Sequence, residues 1–300
     1  MLRVVHWCVH LTTLKNIFFN YNIMRLFLSL SIICYVNFCF SAEYGICIKN
    51  WVSVHKSANK SSEQVTQLIF GDTYTILSKS KDKKWIFIEN QFDSYQGWIS
   101  ISNHQPLSEP IFLDMKKGSF PVCAELKGKI EYEGKTFDIS LGSTLPYYEN
   151  GIISINGKKA KFFGKVISMP QKFDRNKLVS TSKLCLEIPY LWGGKNAFGY
   201  DCSGFVQTVY KTFGINLPRD SGQQVKLGKE INLANAQVGD LAFFHENGKI
   251  VHVGIVIEEG NIIHASKKVK INKLDKTGIW VDETQSYSHY LKCIKRIVEQ

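Results

Sequence analysis

One cysteine in this 300-residue chain stands where a side chain can become a nucleophile. Cys202 follows a glycine-rich loop, and apolar residues recur at helical spacing from Phe205 to Phe213. Asp201 is a suitable N-cap and Gly214 a suitable stop, so the pattern predicts a helix with Cys202 in its first turn. Unpaired backbone N–H groups and the helix dipole favour a thiolate there. We therefore predict a nucleophilic thiol with a lowered pKa.

Two downstream histidines are candidates for the base. Val251–Ile257 and Asn261–Ser266 each predict a buried strand, joined by a turn around Glu259-Gly260. A hairpin of these strands would place His252 and His264 as neighbours on one face. His252 would then take the thiol proton while His264 orients its ring. The alternative is a pair of satisfied core histidines, which a helix-start cysteine upstream disfavours.

These residues belong to a set of short motifs that follow one another in a recognisable order. The motifs are Tyr190–Gly194, Asp201–Phe205, Leu217–Ser221, Val238–Leu241, His252–Ile255 and His264–Ser266. In this order they resemble the NlpC-type cysteine peptidases, papain-like enzymes that cut bacterial cell-wall peptides. The resemblance implies a Cys202–His252–His264 triad on a helix packed against an antiparallel sheet, within a catalytic domain over residues 176–300.

The resemblance also implies residues that contact the substrate. In the branch this chain most resembles, the residues matching Ser203, Asp220 and Ser221 line the substrate pocket, and the hydroxyl matching Tyr190 lies near the nucleophile. Asp220 or Ser221 would alternatively cap the helix that follows them. We interpret Asp240 as a turn residue. Four other histidines receive no role: His55, His104, His245 and His289.

Two stretches of short strands precede this domain. Residues 43–105 alternate apolar and polar side chains and close on Gly97-Trp98-Ile99, which resembles a bacterial SH3-type barrel. Residues 110–170 have the same character, with glycines at turn-like intervals, and predict a second, diverged SH3-type barrel. Residues 171–177 are the predicted linker. The predicted fold class is α+β, a papain-like catalytic domain preceded by two small all-β barrels.

This order of domains resembles one branch, the γ-D-glutamyl-L-diamino acid endopeptidases, also called dipeptidyl-peptidase VI. The resemblance implies hydrolysis of the γ-D-glutamyl–diamino acid bond in stem peptides with a free N-terminal L-alanine, with no metal or organic cofactor. Glu63 matches a carboxylate that receives the substrate ammonium, and Tyr95 matches a tyrosine beside it. The alternative for Glu63 is a solvated surface charge.

The first 42 residues predict a targeting region. Met24-Arg25 gives a charged start, Leu26–Phe40 an apolar run and Ser41-Ala42 small residues before a polar segment. This order of features is typical of a signal peptide that starts at Met24. The apolar run is shorter than a membrane-spanning helix requires. We expect an exported protein, periplasmic or secreted, with an uncleaved anchor as the alternative.

Composition bounds the function classes. A chain with 44% hydrophobic residues can bury cores for two or three domains. The net charge of +11 raises the question of nucleic acid, but the lysines are scattered without a basic helix. Charge alone does not decide the partner; the family resemblance implies peptidoglycan stem peptides, and we expect no nucleic acid. Of eight cysteines, none shows C-x-x-C metal spacing.

Two other functions stay open. The first is a cell-wall-binding adaptor whose barrels bind while the peptidase domain is inactive. The second is an amidase or acyltransferase on the same papain-like core. The presence of Cys202, His252 and His264 together favours the peptidase.

Overall fold

The computed structural model describes residues 43–258 and 260–299. The predicted targeting region, residues 1–42, and the predicted turn residue Glu259 lie outside the described residues. None of the described helices is long and apolar enough to cross a membrane.

The first domain is an antiparallel sheet. Its strands are β1 (Glu43–Ile46), β2 (Trp51–His55), β3 (Gln64–Ile69), β4 (Thr73–Lys79), β5 (Trp85–Asn90), β6 (Gln96–Ser100) and β7 (Pro106–Leu107). They lie in the order β3-β2-β6-β5-β4-β1-β7. Alternate residues such as Val52 and Val54, or Ile86 and Ile88, are buried in a common core, as the period of two requires. A short 3-10 helix, Ile101–Asn103, follows β6.

A second all-β unit follows helix α1 (Glu109–Lys117). It comprises β8 (Val122–Cys123), β9 (Lys127–Tyr132), β10 (Lys135–Ser140), β11 (Ile152–Ile155), β12 (Lys158–Phe162) and β13 (Val166–Ile167). The strands form the ladders β10-β9-β12-β11 and β13-β8. Glu133-Gly134 and Asn156-Gly157 connect two of the hairpins, and all four residues have positive φ, which matches tight two-residue turns.

The predicted catalytic domain contains the elements from helix α2 onward. Its elements are α2 (Arg175–Lys183), β14 (Lys195–Asn196), β15 (Gly199–Tyr200), α3 (Cys202–Lys211), α4 (Ser221–Gln224), β16 (Lys229–Ile231), a 3-10 helix (Leu233–Asn235), β17 (Leu241–Glu246), β18 (Lys249–Glu258), β19 (Asn261–Ser266), β20 (Lys268–Leu274), β21 (Gly278–Val281) and β22 (Ser286–Arg296). Helix α2 starts inside the predicted linker, because the Asp174 side chain accepts from the N–H groups of Asn176 and Lys177 and caps it.

Within the described ranges, strands β17 to β22 pair in chain order and β22 pairs back with β17, so that the six close into a barrel. The outward side chains, including Val253 and Ile255, pack against Val206 and Val209 of α3. The inward side chains form a separate apolar cluster: Ala242, Phe244, Val256, Ile262, Leu274, Ile279 and Ile294. The predicted α+β class, with small all-β units before a domain in which a helix packs against an antiparallel sheet, is confirmed. The domain boundaries stay predictions.

Candidate active site

Cys202 is the first residue of α3 and is 7% exposed. Asp201 caps the helix, since its Oδ1 accepts from the N–H of Gly204 at 2.7 Å. The other carboxylate oxygen accepts from the N–H of Gly193 at 2.9 Å, which ties the glycine-rich loop to the helix start. Hydrogen bonding from the backbone of Val253 and Ser203 acts to lower the pKa of the Cys202 thiol. The predicted helix is confirmed, and it places the thiol beside β18 at the residue that follows His252.

The two histidines are neighbours, as the hairpin predicts. Strands β18 and β19 pair Ile255 with Ile263, and this register brings His264 diagonally across from His252. His252 Nε2 lies 2.8 Å from His264 Nδ1, and the two rings are perpendicular at 86°. Gly254 makes this approach possible, because a Cβ there would come within 2.9 Å of the His264 Cβ.

Two residues that the sequence analysis did not place at the site complete the histidine cluster. Asn272 Oδ1 lies 3.1 Å from His264 Nε2. His289 stacks on His252 with ring centroids 4.0 Å apart and an angle of 20°. All four side chains point into one end of the barrel. The alternation of side chains along β20 and β22 predicts which face of the sheet Asn272 and His289 lie on. Closure of the barrel, which no local pattern predicts, brings both residues to His252.

Arg219 anchors the start of α3 to the first domain. Its side chain is 1% exposed and donates to Asp201 Oδ2 at 2.6 Å and Oδ1 at 3.0 Å. It also donates to Ser203 Oγ at 2.9 Å and to Thr66 Oγ1 of β3 at 2.8 Å. The guanidinium thus orients the residues on both sides of Cys202. The sequence signal was the Leu217–Ser221 motif, in which no role was given to the arginine.

A cavity of about 530 Å³ opens between the first domain and the catalytic domain. Cys202 lines it. So do all the residues predicted to bind substrate: Glu63, Tyr95, Tyr190, Ser203, Asp220 and Ser221. The structure therefore brings these side chains together, whereas His252 and His264 are 4% and 0% exposed and do not line the cavity.

Glu63 is held on the cavity wall by residues of both domains. Trp192 Nε1 of the glycine-rich loop donates to Glu63 Oε1 at 2.9 Å, and Lys56 Nζ approaches Oε2 at 3.2 Å. Gln64 Nε2 in turn donates to the Trp192 carbonyl at 2.9 Å. The carboxylate keeps 41% side-chain exposure, so it has a free face toward the cavity.

Two aspartates have structural contacts. Asp220 is the N-cap residue of α4, and its N–H donates to Gln223 Oε1 at 3.3 Å; capping and cavity lining therefore coexist. Burial raises the pKa of Asp220, with Asp201 adding to the rise and Arg219 opposing it. Asp240 accepts from the N–H of Gln237 and from Arg296 at 2.8 Å each, which confirms its interpretation as a turn residue.

Among residues 43–258 and 260–299, no group of three or more His, Cys, Asp or Glu side chains is arranged to hold a metal ion. The cysteines of the same ranges are free thiols: Cys47, Cys123, Cys185, Cys202 and Cys293.

Comparison with known proteins places this site in a family. The model of the NlpC/P60 family matches residues 187–288, and that of the bacterial dipeptidyl-peptidase Sh3 domain matches residues 54–103. A gamma-D-glutamyl-L-lysine dipeptidyl-peptidase of Bacillus cereus is 31% identical over 273 residues, covering 81% of this chain and 78% of the relative. The chain belongs to the NlpC/P60 family.

Two further comparisons concern a second similar sequence and a similar fold. A Bacillus subtilis protein, also a gamma-D-glutamyl-L-lysine dipeptidyl-peptidase, is 29% identical over 222 residues. The match covers 68% of this chain and 73% of the relative. The crystal structure of an NlpC/P60 family protein from Bacillus cereus superimposes with a TM-score of 0.71 at 21% identity, over 85% of this chain and 100% of that one. The latter shows that the folds agree.

The NlpC/P60 site holds its thiol and its imidazoles as neutral groups. Burial, together with Asp201, raises the pKa of Cys202 to about 12. The N–H of Val253 and the Arg219 guanidinium act in the opposite direction. Burial, His264 and His289 lower the pKa of His252 well below 6.5. The predicted lowering of the thiol pKa is therefore wrong for the free protein. A helix dipole is worth about 0.3–1 kcal/mol, whereas full burial shifts a pKa by up to about 3–5 units.

Alkylation of Cys202 by iodoacetamide should therefore accelerate steadily with pH. Below a raised pKa the thiolate fraction grows about tenfold per pH unit, so no plateau is expected between pH 5 and 8. Mass spectrometry of the Cys202 peptide gives the rate. Cys293, a half-buried free thiol with a raised pKa, is the internal reference. A constant Cys202 rate over this range would show a thiolate–imidazolium pair instead.

Proposed function

We propose that this protein is a cysteine peptidase that hydrolyses the γ-D-glutamyl–diamino acid bond of cell-wall stem peptides with a free N-terminal L-alanine. The observation that carries the proposal is the shared cavity, in which Cys202 of α3 and Glu63 of the first domain face the same space. A thiol cuts an acyl bond, and a carboxylate on the opposite domain fixes an amine. The names of the two Bacillus relatives support the same bond.

The cavity favours a short substrate with a charged amino end. Glu63 offers a carboxylate with a free face, and Tyr95 lies on the same wall. Burial raises the pKa of Tyr95 to about 12, so its hydroxyl stays protonated and available as a hydrogen-bond donor. An ammonium bound to Glu63 would compete with the exposed Lys56 and would gain a charge-assisted hydrogen bond. An acetylated amine has no charge to offer and adds bulk.

The chemistry follows from the positions of the ring nitrogens. His252 Nε2 faces His264, which leaves Nδ1 to accept the proton of the Cys202 thiol. The sulfur attacks the γ-carbonyl carbon of D-Glu, and the Cys202 N–H stabilises the oxyanion by about 3 kcal/mol, a typical contribution for one donor. Because both groups rest in their neutral forms, proton transfer accompanies the attack.

The remaining steps return the site to its starting state. The imidazolium gives its proton to the departing amine, so the C–N bond breaks and an acyl-thioester remains. His252 then takes a proton from water, whose oxygen attacks the thioester carbonyl. The C–S bond breaks, L-Ala-D-Glu leaves, and the thiol recovers its proton.

We also propose that the protein acts outside the cytoplasm. The supporting observation is the signal-like order of charge, apolar run and small residues between Met24 and Ala42. A cell-wall peptide as substrate agrees with export.

Incubation with L-Ala-γ-D-Glu-diaminopimelate and with its N-acetylated form tests the activity. Mass spectrometry should detect L-Ala-D-Glu and free diaminopimelate from the first peptide and far less product from the second. No product from either peptide would favour the wall-binding adaptor. Release of another fragment, or transfer of the acyl group to an amine, would favour an amidase or acyltransferase.

Glu63→Gln should reduce the preference for the free amine. A hydrogen bond to a charged group contributes about 1.5–3 kcal/mol, so the ratio of kcat/KM for free over acetylated peptide should fall by about 10- to 100-fold. Glu89→Gln is the matched control, because Glu89 lies on the same domain, bonds Gln96 and does not line the cavity. An unchanged ratio in Glu63→Gln would identify Glu63 as a surface charge.

A further inference from the structure

We propose that Asn272 is a positioning residue that sets the tautomers of both histidines, and through them the nitrogen that receives the thiol proton. The inference rests on the proposed roles of Cys202 and His252. It starts from a chain of contacts inside the barrel, in which Asn272 Oδ1, His264 and His252 follow one another at 3.1 and 2.8 Å.

Counting protons along this chain leaves one arrangement. The amide oxygen of Asn272 only accepts hydrogen bonds, so His264 Nε2 must carry a proton and donate it. A neutral His264 then has an unprotonated Nδ1, which accepts from His252 Nε2–H. A neutral His252 is in turn left with an unprotonated Nδ1, and this is the nitrogen that a base toward Cys202 requires.

Both rings are neutral in this environment, which the count needs. Burial lowers the pKa of His264 to about 3, although the hydrogen bond to Asn272 acts in the opposite direction. Burial also lowers the pKa of His252, and its histidine neighbours, His264 and His289, add to this effect. At neutral pH each ring therefore carries one proton, and its location is decided by hydrogen bonds alone.

The opposite tautomers would disable the base. A proton on His264 Nδ1 would donate to His252 Nε2 and force the His252 proton onto Nδ1, where the thiol proton has to go. It would also leave the bare Nε2 of His264 facing the amide oxygen of Asn272, two acceptors at 3.1 Å. The Asn272 oxygen thus disfavours the unproductive state.

The sheet holds Asn272 where this contact is made. Asn272 on β20 pairs with Ile262 on β19, two residues before His264, and side chains two apart share a face of the sheet. The residue is half-buried, with the buried Leu274 two positions further on the same face. The backbone of Asn272 is therefore held by the sheet and its side chain is short, which suits a residue that orients another side chain.

Nitrogen-15 NMR of the ring nitrogens tests the proposal directly. In the wild-type protein we expect protonated Nε2 and unprotonated Nδ1 on both His264 and His252. Asn272→Leu removes the acceptor at similar volume and should mix the tautomers of both rings while lowering kcat about 10- to 100-fold, with little change in KM. Asn272→Gln keeps a neutral amide acceptor and should retain the wild-type tautomers and most of kcat. Lys273→Leu, an exposed residue of the same strand, controls for the added apolar side chain.

Several results would overturn the proposal: a proton on His264 Nδ1 in the wild type, wild-type tautomers and kcat in Asn272→Leu, or equal losses in the Leu and Gln variants. The NMR readout needs no substrate. A protein that shows the expected tautomers but cuts no stem peptide would therefore refute the proposed function and leave the role of Asn272 standing.

Discussion

Cys202→Ala should lower hydrolysis of the stem peptide by at least about 10⁴-fold, the scale found when a nucleophile or its base is removed. The fold should persist, because alanine is favourable at a helix start and the lost sulfur leaves only a small void. Circular dichroism and the thermal midpoint report the fold, and kcat/KM reports activity. Cys293→Ala, a half-buried thiol on β22, is the control and should keep its activity.

The histidines extend this test. His252→Ala should be nearly as damaging as Cys202→Ala, and the double variant little worse than either, since the two groups act as a unit. His264→Ala should retain more activity, because an orienting residue shifts the population of productive rings without removing the base. Wild-type turnover in the Cys202→Ala protein would refute the mechanism, and additive losses would show that the two residues act separately.

Asp72→Ala should be the most destabilising single change at the boundary between the domains. The Asp72 carboxylate, 1% exposed, lies 2.9 Å from Lys211 Nζ and 3.4 Å from Lys195 Nζ, whose side chains are 8% and 2% exposed. Removing it leaves two buried ammonium groups without their carboxylate and with only the face of the Phe92 ring beside them, a change that costs about 3–5 kcal/mol. Burial already lowers the pKa of Lys211, so loss of its proton would limit the cost.

Denaturant unfolding at neutral pH measures this effect as a fall in the free energy of unfolding. Asp138→Ala is the matched control, since Asp138 forms an exposed pair with Lys129 at 3.4 Å, and exposed pairs contribute about 0–1 kcal/mol. Asp72→Asn, which keeps the shape and removes the charge, should lie between the two. Equal small losses in Asp72→Ala and Asp138→Ala would mean that the buried cluster adds little to stability.

Local patterns in the sequence were sufficient for the elements that carry the chemistry. The N-cap Asp201, the apolar spacing after Cys202 and the alternation around His252 and His264 are short-range signals, and each predicted its helix or strand correctly. The likeness to a known family gave the order of the domains. In β18 and β19, the histidine is the residue that interrupts the run of buried apolar side chains.

What the sequence did not predict depends on contacts between distant residues. Burial of Cys202, which reverses the expected pKa shift, depends on β18, some fifty residues later. Asn272 and His289 reach His252 only because the barrel closes. Arg219 donates a hydrogen bond to Thr66, which lies in the first domain. Such contacts arise from tertiary packing, which the periodicity of apolar residues in a helix or a strand does not predict.

Closure of the barrel by β22 has a consequence for biosynthesis. This strand follows Cys202 by more than 80 residues and pairs with β17, β21 and β16. During synthesis from the amino terminus, the nucleophile leaves the ribosome long before the strand that brings His289 against His252. Pairings between distant segments form late, because loop closure costs entropy before any contact compensates. A nascent chain therefore carries the Cys202 thiol before the histidine cluster is assembled, and the cluster is complete only when the last strand of the barrel pairs.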